Sequence, residues 1–186
     1  RAGAWRKAER ETIVIDYGGP NIAKPLHVGH LRSAIIGEAL KRLFRAAGDD
    51  VTADIHLGDW GLPMGQLIDQ IGRERPDLAY FNPTFKGPYP DDPGVTLADL
   101  ERLYPQASAA CKTDPARADA ARRATAELQA GRRGYRALWA HFIKVSRAAI
   151  EREYADLGVS FDWWKGESDA DPLTQEMAAD MRARGV

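Results

Sequence analysis

The chain has 186 residues, a mass of 20.5 kDa and a formal net charge of −1, with 44% apolar and 28% charged residues. That balance is ordinary for a globular domain and excludes disorder throughout; it also argues against attachment to nucleic acid by bulk positive charge, while leaving room for a local basic patch. No apolar run approaches the ~18 residues of a membrane span and no charged-then-apolar leader opens the chain, so no membrane partner is expected, and the single cysteine, Cys111, excludes an intramolecular disulfide and fits a reducing, cytoplasmic setting.

The first residue is not Met, and the polar, basic stretch from Arg1 to Glu11 reads as a helix end or linker, so the chain is expected to be a piece of a longer one. Ile13-Val14-Ile15-Asp16-Tyr17, bounded by Gly18-Gly19-Pro20, reads as a buried parallel strand. After a polar loop, Leu31, Ile35, Ile36, Leu40, Leu43 and Phe44 recur at helical spacing, with Gly48 where a C-cap glycine belongs. Val51 to Leu57 supplies a second strand, ended by Gly58, Gly61 and Pro63. Strand, glycine-rich turn, helix and strand in this order make a βαβ unit and an α/β fold.

From Pro76 to Pro105 the pattern changes, for six of the eleven prolines fall there and mark an irregular connection. Leu97 to Tyr104 opens a helical segment, Asp114 to Ala130 is helical in propensity, and Leu138, Phe142, Val145, Ala149, Tyr154 and Leu157 form a helical stripe closed by Gly158. Val159 to Trp164 is expected as a third strand, and Pro172 to Arg184 as a last helix with proline in its first turn. The expected organisation is a first half of a Rossmann-like domain over 1–75, a Pro-rich and helical insertion over 76–133, and a return to the first domain over 134–186. Lys112 to Arg136 carries seven basic and three acidic residues, and Glu151 to Asp180 nine acidic and two basic; either can be a solvated helical face.

The densest polar stretch runs from Asp16 to His30, between the first strand and its helix, where open α/β sheets bind their ligands. His27 and His30 are three residues apart and share one face of the helix start, where N–H groups and the helix dipole favour phosphate. Gly29 removes a side chain so that a flat ligand can approach the backbone, and Lys24 adds a mobile cation. These residues together suit a triphosphate. Taken alone, the two histidines can equally be a surface pair or a helix cap, and a zinc site from His27, His30 and His56 lacks a cysteine or spaced acid to complete it.

Pro20-Asn21-Ile22-Ala23-Lys24-Pro25-Leu26-His27-Val28-Gly29-His30-Leu31-Arg32-Ser33 resembles the HIGH signature region of class I aminoacyl-tRNA synthetases, in the form found in arginyl-tRNA synthetases. His56-Leu57-Gly58-Asp59-Trp60-Gly61 is similar to the same family's next block. The close match runs from about Ile13 to Gly65, with a looser one from Leu97 to Pro172. His-x-Gly-His is shared with other nucleotidyl transferases, which remain an alternative, as does a non-catalytic binding module descended from a synthetase; the Pro-Asn-x-Ala-Lys and Gly-Asp-Trp-Gly runs are more specific.

The resemblance implies activation of L-arginine by ATP, with Mg2+ carried by the ATP, and transfer to tRNA(Arg), by an enzyme expected to be a monomer. It implies that His27, His30 and Lys24 are catalytic and that His27, Gly29, His30 and Lys24 bind ATP. Asp16, Gly19, Pro20, Asn21 and His30 would bind arginine, Asp16 at the guanidinium and Asn21 at the α-amino end. Gly19 stands where many members have serine. Asp59 and Trp60 are expected to shape the strand exit and wall the pocket, and His56 to be packed at a strand end. The family's Lys-Met-Ser-Lys-Ser-like loop is not found among the seven lysines, which the resemblance explains by truncation, so these 186 residues alone are expected to be inactive.

Overall fold

The computed structural model describes Lys7 and residues 9–185, so most of the expected leading linker lies outside the described residues. Three parallel strands, β1 (Thr12–Asp16), β2 (Asp50–Leu57) and β3 (Trp163–Gly166), form a sheet in the order β1-β2-β3. Six helices accompany them: α1 (Val28–Ala47), α2 (Leu62–Glu74), α3 (Leu97–Thr113), α4 (Pro115–Gln129), α5 (Arg133–Asp156) and α6 (Glu167–Arg184). This is the mixed α/β architecture with a parallel sheet that the βαβ pattern predicts. Contacts divide the chain into two units, one of residues 1–20, 26–58 and 153–186 and the other of 21–25 and 59–152.

In the first unit the register pairs Ile13 with Val51, Ile15 with Ala53 and Asp16 with Asp54, and pairs Asp54 with Trp163 and His56 with Lys165. Side chains alternate across a strand, so Ile13, Ile15, Val51, Ala53, Ile55 and Leu57 share the face covered by α1. β1 is not the buried strand expected from its β-branched run: it is an edge strand in which Val14 is 59% exposed. The expected helix forms and ends at Gly48, whose φ of 106° suits glycine. Its buried residues, however, are Ala34, Gly37, Glu38 and Lys41, whereas Ile35, Ile36, Leu40 and Leu43 are exposed. Small Ala34 and Gly37 let the helix approach the sheet closely, and this choice of face turns the apolar stripe outward.

Glu38 and Lys41 are buried because they satisfy each other and their surroundings. Lys41 Nζ lies 2.6 Å from Glu38 Oε2 and donates to the Ser160 hydroxyl at 2.9 Å. Glu38 also accepts from the Ser160 N–H at 3.1 Å and from Arg42 Nε at 2.6 Å. Burial works to raise the Glu38 carboxyl, but the hydrogen bonds from Lys41, Ser160 and Arg42 outweigh it and hold the group at about 2. This network and Asp162, which accepts from the Ala53 N–H at 2.7 Å, donates its own N–H to the Ala53 carbonyl at 2.9 Å and pairs with Arg45, hold residues 160–162 through side chains as well as backbone. The third strand begins at Trp163, not at Val159. The last helix likewise begins earlier than expected, at Glu167, because Asp169 accepts from the Gly166 N–H at 2.9 Å; Pro172 lies inside the helix.

The second unit is helical. α2 carries Met64, Leu67, Ile68 and Ile71 on its buried face, with a proline in its first turn. It packs on α4 so closely that a Cβ on Gly65 would lie 2.2 Å from the Ala121 carbonyl oxygen. Thr96 and Asp99 cap α3 reciprocally, and Asp114 caps α4, which follows at once with Pro115. Residues 75–96 are irregular, as the prolines predict. α5 begins against Tyr80, where a Cβ on Gly134 would fall 2.0 Å from the Tyr80 carbonyl oxygen.

Candidate functional site

In the first unit the site residues flank the end of β1 and the start of α1. Asp16 is the last residue of β1 and is exposed. Tyr17 is buried: its ring lies 4.7 Å from that of Phe161, and its hydroxyl lies 3.1 Å from Glu38 Oε2 and donates to the Ser160 carbonyl at 3.0 Å. Burial, followed by the Glu38 charge, pushes the Tyr17 phenol far above its ordinary value, so it stays a donor. Gly18 has φ +85°, and a Cβ there would meet Phe161 Cζ at 3.1 Å; glycine is the residue this turn accepts. The Gly18 carbonyl accepts from the Tyr154 hydroxyl at 2.7 Å, and its N–H donates to Ser33 Oγ at 3.1 Å. Ser33 in turn donates to the His30 carbonyl at 3.4 Å, so one side chain joins the strand exit to the first turn of α1. Gly19 is exposed beside the His56 carbonyl oxygen, 3.1 Å from where a Cβ would lie, and buried Pro20 accepts from the Gly58 N–H at 3.1 Å.

His27 and His30 form the cap of α1. His27 Nδ1 accepts from the Gly29 N–H at 3.1 Å, and His30 Nδ1 lies 3.2 Å from the His27 N–H as its acceptor. Their rings stack at 3.8 Å with planes 24° apart. A neutral imidazole has one donor and one acceptor nitrogen, so with Nδ1 accepting, the neutral form of each ring carries its proton on Nε2. Capping of the helix and a donor role for the rings are therefore compatible, because capping engages Nδ1 and not Nε2. Gly29 differs from its expected use. Its N–H is taken by His27, and a Cβ would lie 3.0 Å from His27 Cε1, so its smallness first makes room for that ring.

Asp16 stands beside Asp54 in the sheet register. Burial, then the Asp16 charge, raises the Asp54 carboxyl, and its Oδ1 is buried without a hydrogen-bond partner. His56 is exposed and opposite Lys165, rather than packed. Among the described residues no three His, Cys, Asp or Glu gather in a way that could hold a metal ion.

In the second unit, Asn21 is half-buried, and Ile22 and Ala23 are buried. Ala23 holds φ at 63°, unusual for a residue with a Cβ, and its N–H donates to Ser146 Oγ at 3.1 Å. The Lys24 ammonium sits 4.6 Å from the centre of the Tyr104 ring. Trp60 is buried, edge-on to Trp139 at 5.1 Å and capped by the Arg136 guanidinium at 4.3 Å, while Trp139 Nε1 donates to the Asp59 carbonyl at 2.7 Å. Asp59 and Trp60 thus anchor the strand exit. The sequence places Tyr17 in a strand, Ser33 in a motif and Tyr154 in a helical stripe without a role at the site, and does not single out Glu38; nothing in the pattern points the Tyr154 hydroxyl at Gly18.

A family model described as "tRNA synthetases class I (R), catalytic domain" matches residues 2–186. The chain belongs to this family. It is 59% identical over 186 residues to the arginine–tRNA ligase of Maricaulis maris, covering 100% of this chain and 32% of that protein. It is 54% identical over 185 residues to that of Hyphomonas neptunium, covering 100% of this chain and 31% of the relative. The chain thus spans about a third of the length of the curated relatives it matches. Among solved structures it is similar to the arginyl-tRNA synthetase of Plasmodium falciparum, with a TM-score of 0.71 and 25% identity over 97% of this chain and 28% of the other. A likeness to the Thermus thermophilus arginyl-tRNA synthetase, with a TM-score of 0.63 and 19% identity over 96% of this chain and 27% of that one, supports the fold. No helix among the described residues is long and apolar enough to cross a membrane.

Proposed function

We propose that the class I synthetase carrying this chain activates L-arginine with ATP and transfers it to tRNA(Arg), as a cytoplasmic monomer. An arginine carboxylate oxygen attacks the α-phosphorus of ATP and pyrophosphate leaves; a ribose hydroxyl at the tRNA 3′ end then attacks the acyl carbon and AMP leaves. Charge grows on the phosphate oxygens during the first step, and preorganised donors aimed there lower the barrier. The observation that carries the reading is the histidine cap, whose two stacked rings both accept through Nδ1 at a helix start and so keep Nε2 as the donor of the neutral ring. His27 and His30 donate to the phosphates, Gly29 lets the His27 ring lie flat, and Lys24 supplies a further cation. Mg2+ travels with the ATP, held largely by its phosphates. Asp16 takes the guanidinium, which a carboxylate can bind through two parallel hydrogen bonds. Asn21 is assigned the α-amino end, and Gly19, Pro20 and His30 are the further arginine-binding residues. The 76–133 segment is an insertion between the 1–75 and 134–186 parts of the catalytic domain.

The test is ATP–pyrophosphate exchange by the intact protein, with each amino acid in turn. Exchange with arginine, absent with lysine and lowered on the order of 100- to 1,000-fold by His30→Ala, supports the reading. Exchange driven by another amino acid, or unchanged by His30→Ala, contradicts it.

A further inference from the structure

The second unit holds a cavity of about 460 Å³ under the irregular 80–90 segment and the start of α5. Small-molecule sites fall in this size range. Its wall is aromatic and cationic: Tyr80, Phe85, Tyr89, Lys86, Arg132 and Arg133, with no carboxylate among its lining residues. The rings are fixed. Tyr80 and Tyr89 stack at 5.3 Å, Phe85 meets Tyr89 edge-on at 5.1 Å, and the Tyr89 hydroxyl donates to the Phe85 carbonyl at 3.0 Å. The Tyr80 hydroxyl donates to the Pro90 carbonyl. Both phenols are therefore engaged with backbone, and what Phe85 and Tyr89 offer the half-open cavity is ring surface.

The cations divide in two. Arg132 is committed: it pairs with Glu127, donates to the Phe81 carbonyl at 2.9 Å and lies 3.9 Å from the centre of the Tyr135 ring. Arg133 and Lys86 have no acidic partner among the described residues, and the Arg133 guanidinium lies beside Gly87, 3.6 Å from where a Cβ would stand. Two uncompensated cations beside a rigid aromatic wall match a ligand with a flat π-face and a negative charge. Inorganic phosphate would leave the rings unused, and an aliphatic acid would leave them poorly covered. We propose that this cavity binds one nucleotide unit, the base on the Phe85 and Tyr89 rings and the phosphate between Lys86 and Arg133. The unit can come from a single RNA strand or from a free mononucleotide. Base stacking on aromatic side chains and phosphate contacts to Lys and Arg are the usual parts of such sites.

The proposal is independent of arginine activation. In the full protein carrying this chain, with the activation site filled by one equivalent of a non-hydrolysable arginyl-adenylate analogue, binding of a fluorescein-labelled single-stranded RNA hexamer and of AMP is measured for the unaltered protein, Lys86→Glu/Arg133→Glu and Phe85→Ala. Each variant is expected to weaken binding at least tenfold and to leave arginine-dependent pyrophosphate exchange unchanged. AMP displacing the hexamer from this cavity assigns the unit to RNA, and AMP binding without the hexamer assigns it to a free nucleotide. Photolabelling of the unaltered protein with 8-azido-AMP should mark residues 80–90 or 132–134, which covers the case of a variant that does not fold. Affinity unmoved by both variants, inorganic phosphate competing as well as AMP, or photolabel confined elsewhere would overturn the proposal.

Discussion

The Tyr17 ring lies against the backbone of Gly37, so closely that a Cβ there would fall 2.1 Å from Tyr17 Cγ. Tyr17 directly follows Asp16 and precedes Gly18, so the helix that carries His27 and His30 in its first turn also sets the path of the strand exit. Gly37→Ala should push the ring away and cost about 1–3 kcal/mol by overpacking, measured by urea unfolding. An unchanged midpoint would show that Tyr17 has another place to go.

The Glu38 network makes acid sensitivity a property of α1. Glu38 is held at about 2 in the folded protein against an ordinary 4.5, so its contribution is complete above about 4.5 and is lost as pH falls toward 2. Removing the charge with Glu38→Gln leaves buried Lys41 without its counter-charge and should cost about 3–5 kcal/mol at neutral pH. In the variant, the part of the acid-induced loss of stability between those pH values that Glu38 supplies should vanish. A variant with the same pH slope as the unaltered protein would place the titration elsewhere.

Ser33 is a positioning residue if it holds the strand exit to His30 through Gly18. Ser33→Ala should leave the affinity for ATP within a few-fold while lowering the exchange rate, and Ser33→Thr, which keeps the hydroxyl, should recover most of it. An exchange rate unchanged in Ser33→Ala, or not recovered in Ser33→Thr, would show that the hydroxyl does not position His30.

Much of this was legible before the fold was known. The β-branched runs, the helical spacing after His30 and Gly48 mark β1, α1 and β2, because local periodicity and backbone conformation decide those elements. α2 is not expected from the sequence although Met64, Leu67, Ile68 and Ile71 recur at helical spacing, because Gly61 and Pro63 read as the end of a strand, whereas proline also suits a first helical turn. The face of α1 could not be read from apolar periodicity. Ile35, Ile36, Leu40 and Leu43 announce one face, yet the sheet takes the one with Ala34, Gly37 and a charged pair, which becomes buriable only through Ser160, far away in sequence. In the candidate site, the residue types and their order are visible, while the hydrogen bonds from Gly18 to Ser33 and from Tyr154 to Gly18 depend on tertiary placement.

The histidine cap fixes a tautomer that can be observed. Nitrogen chemical shifts of His27 and His30 at a pH where both are neutral should report Nε2–H for each ring. His27→Ala should also remove the cap and cost about 0.5–2 kcal/mol of stability. Nδ1–H in either ring would contradict the hydrogen bonds from Gly29 and His27 on which the phosphate reading depends.

In the proposed reaction the strand end and the helix start serve opposite ends of the substrate pair, Asp16 the guanidinium and the histidines the phosphates. Arginine-dependent pyrophosphate exchange by the full protein with Asp16→Asn tests it most directly. The change keeps size and hydrogen-bonding capacity but removes the charge facing guanidinium, and losing one partner of a desolvated charge pair costs roughly 2–5 kcal/mol. The KM for arginine should therefore rise about thirtyfold or more, with that for ATP nearly unchanged. A KM for ATP that rises while that for arginine stays put would contradict the account.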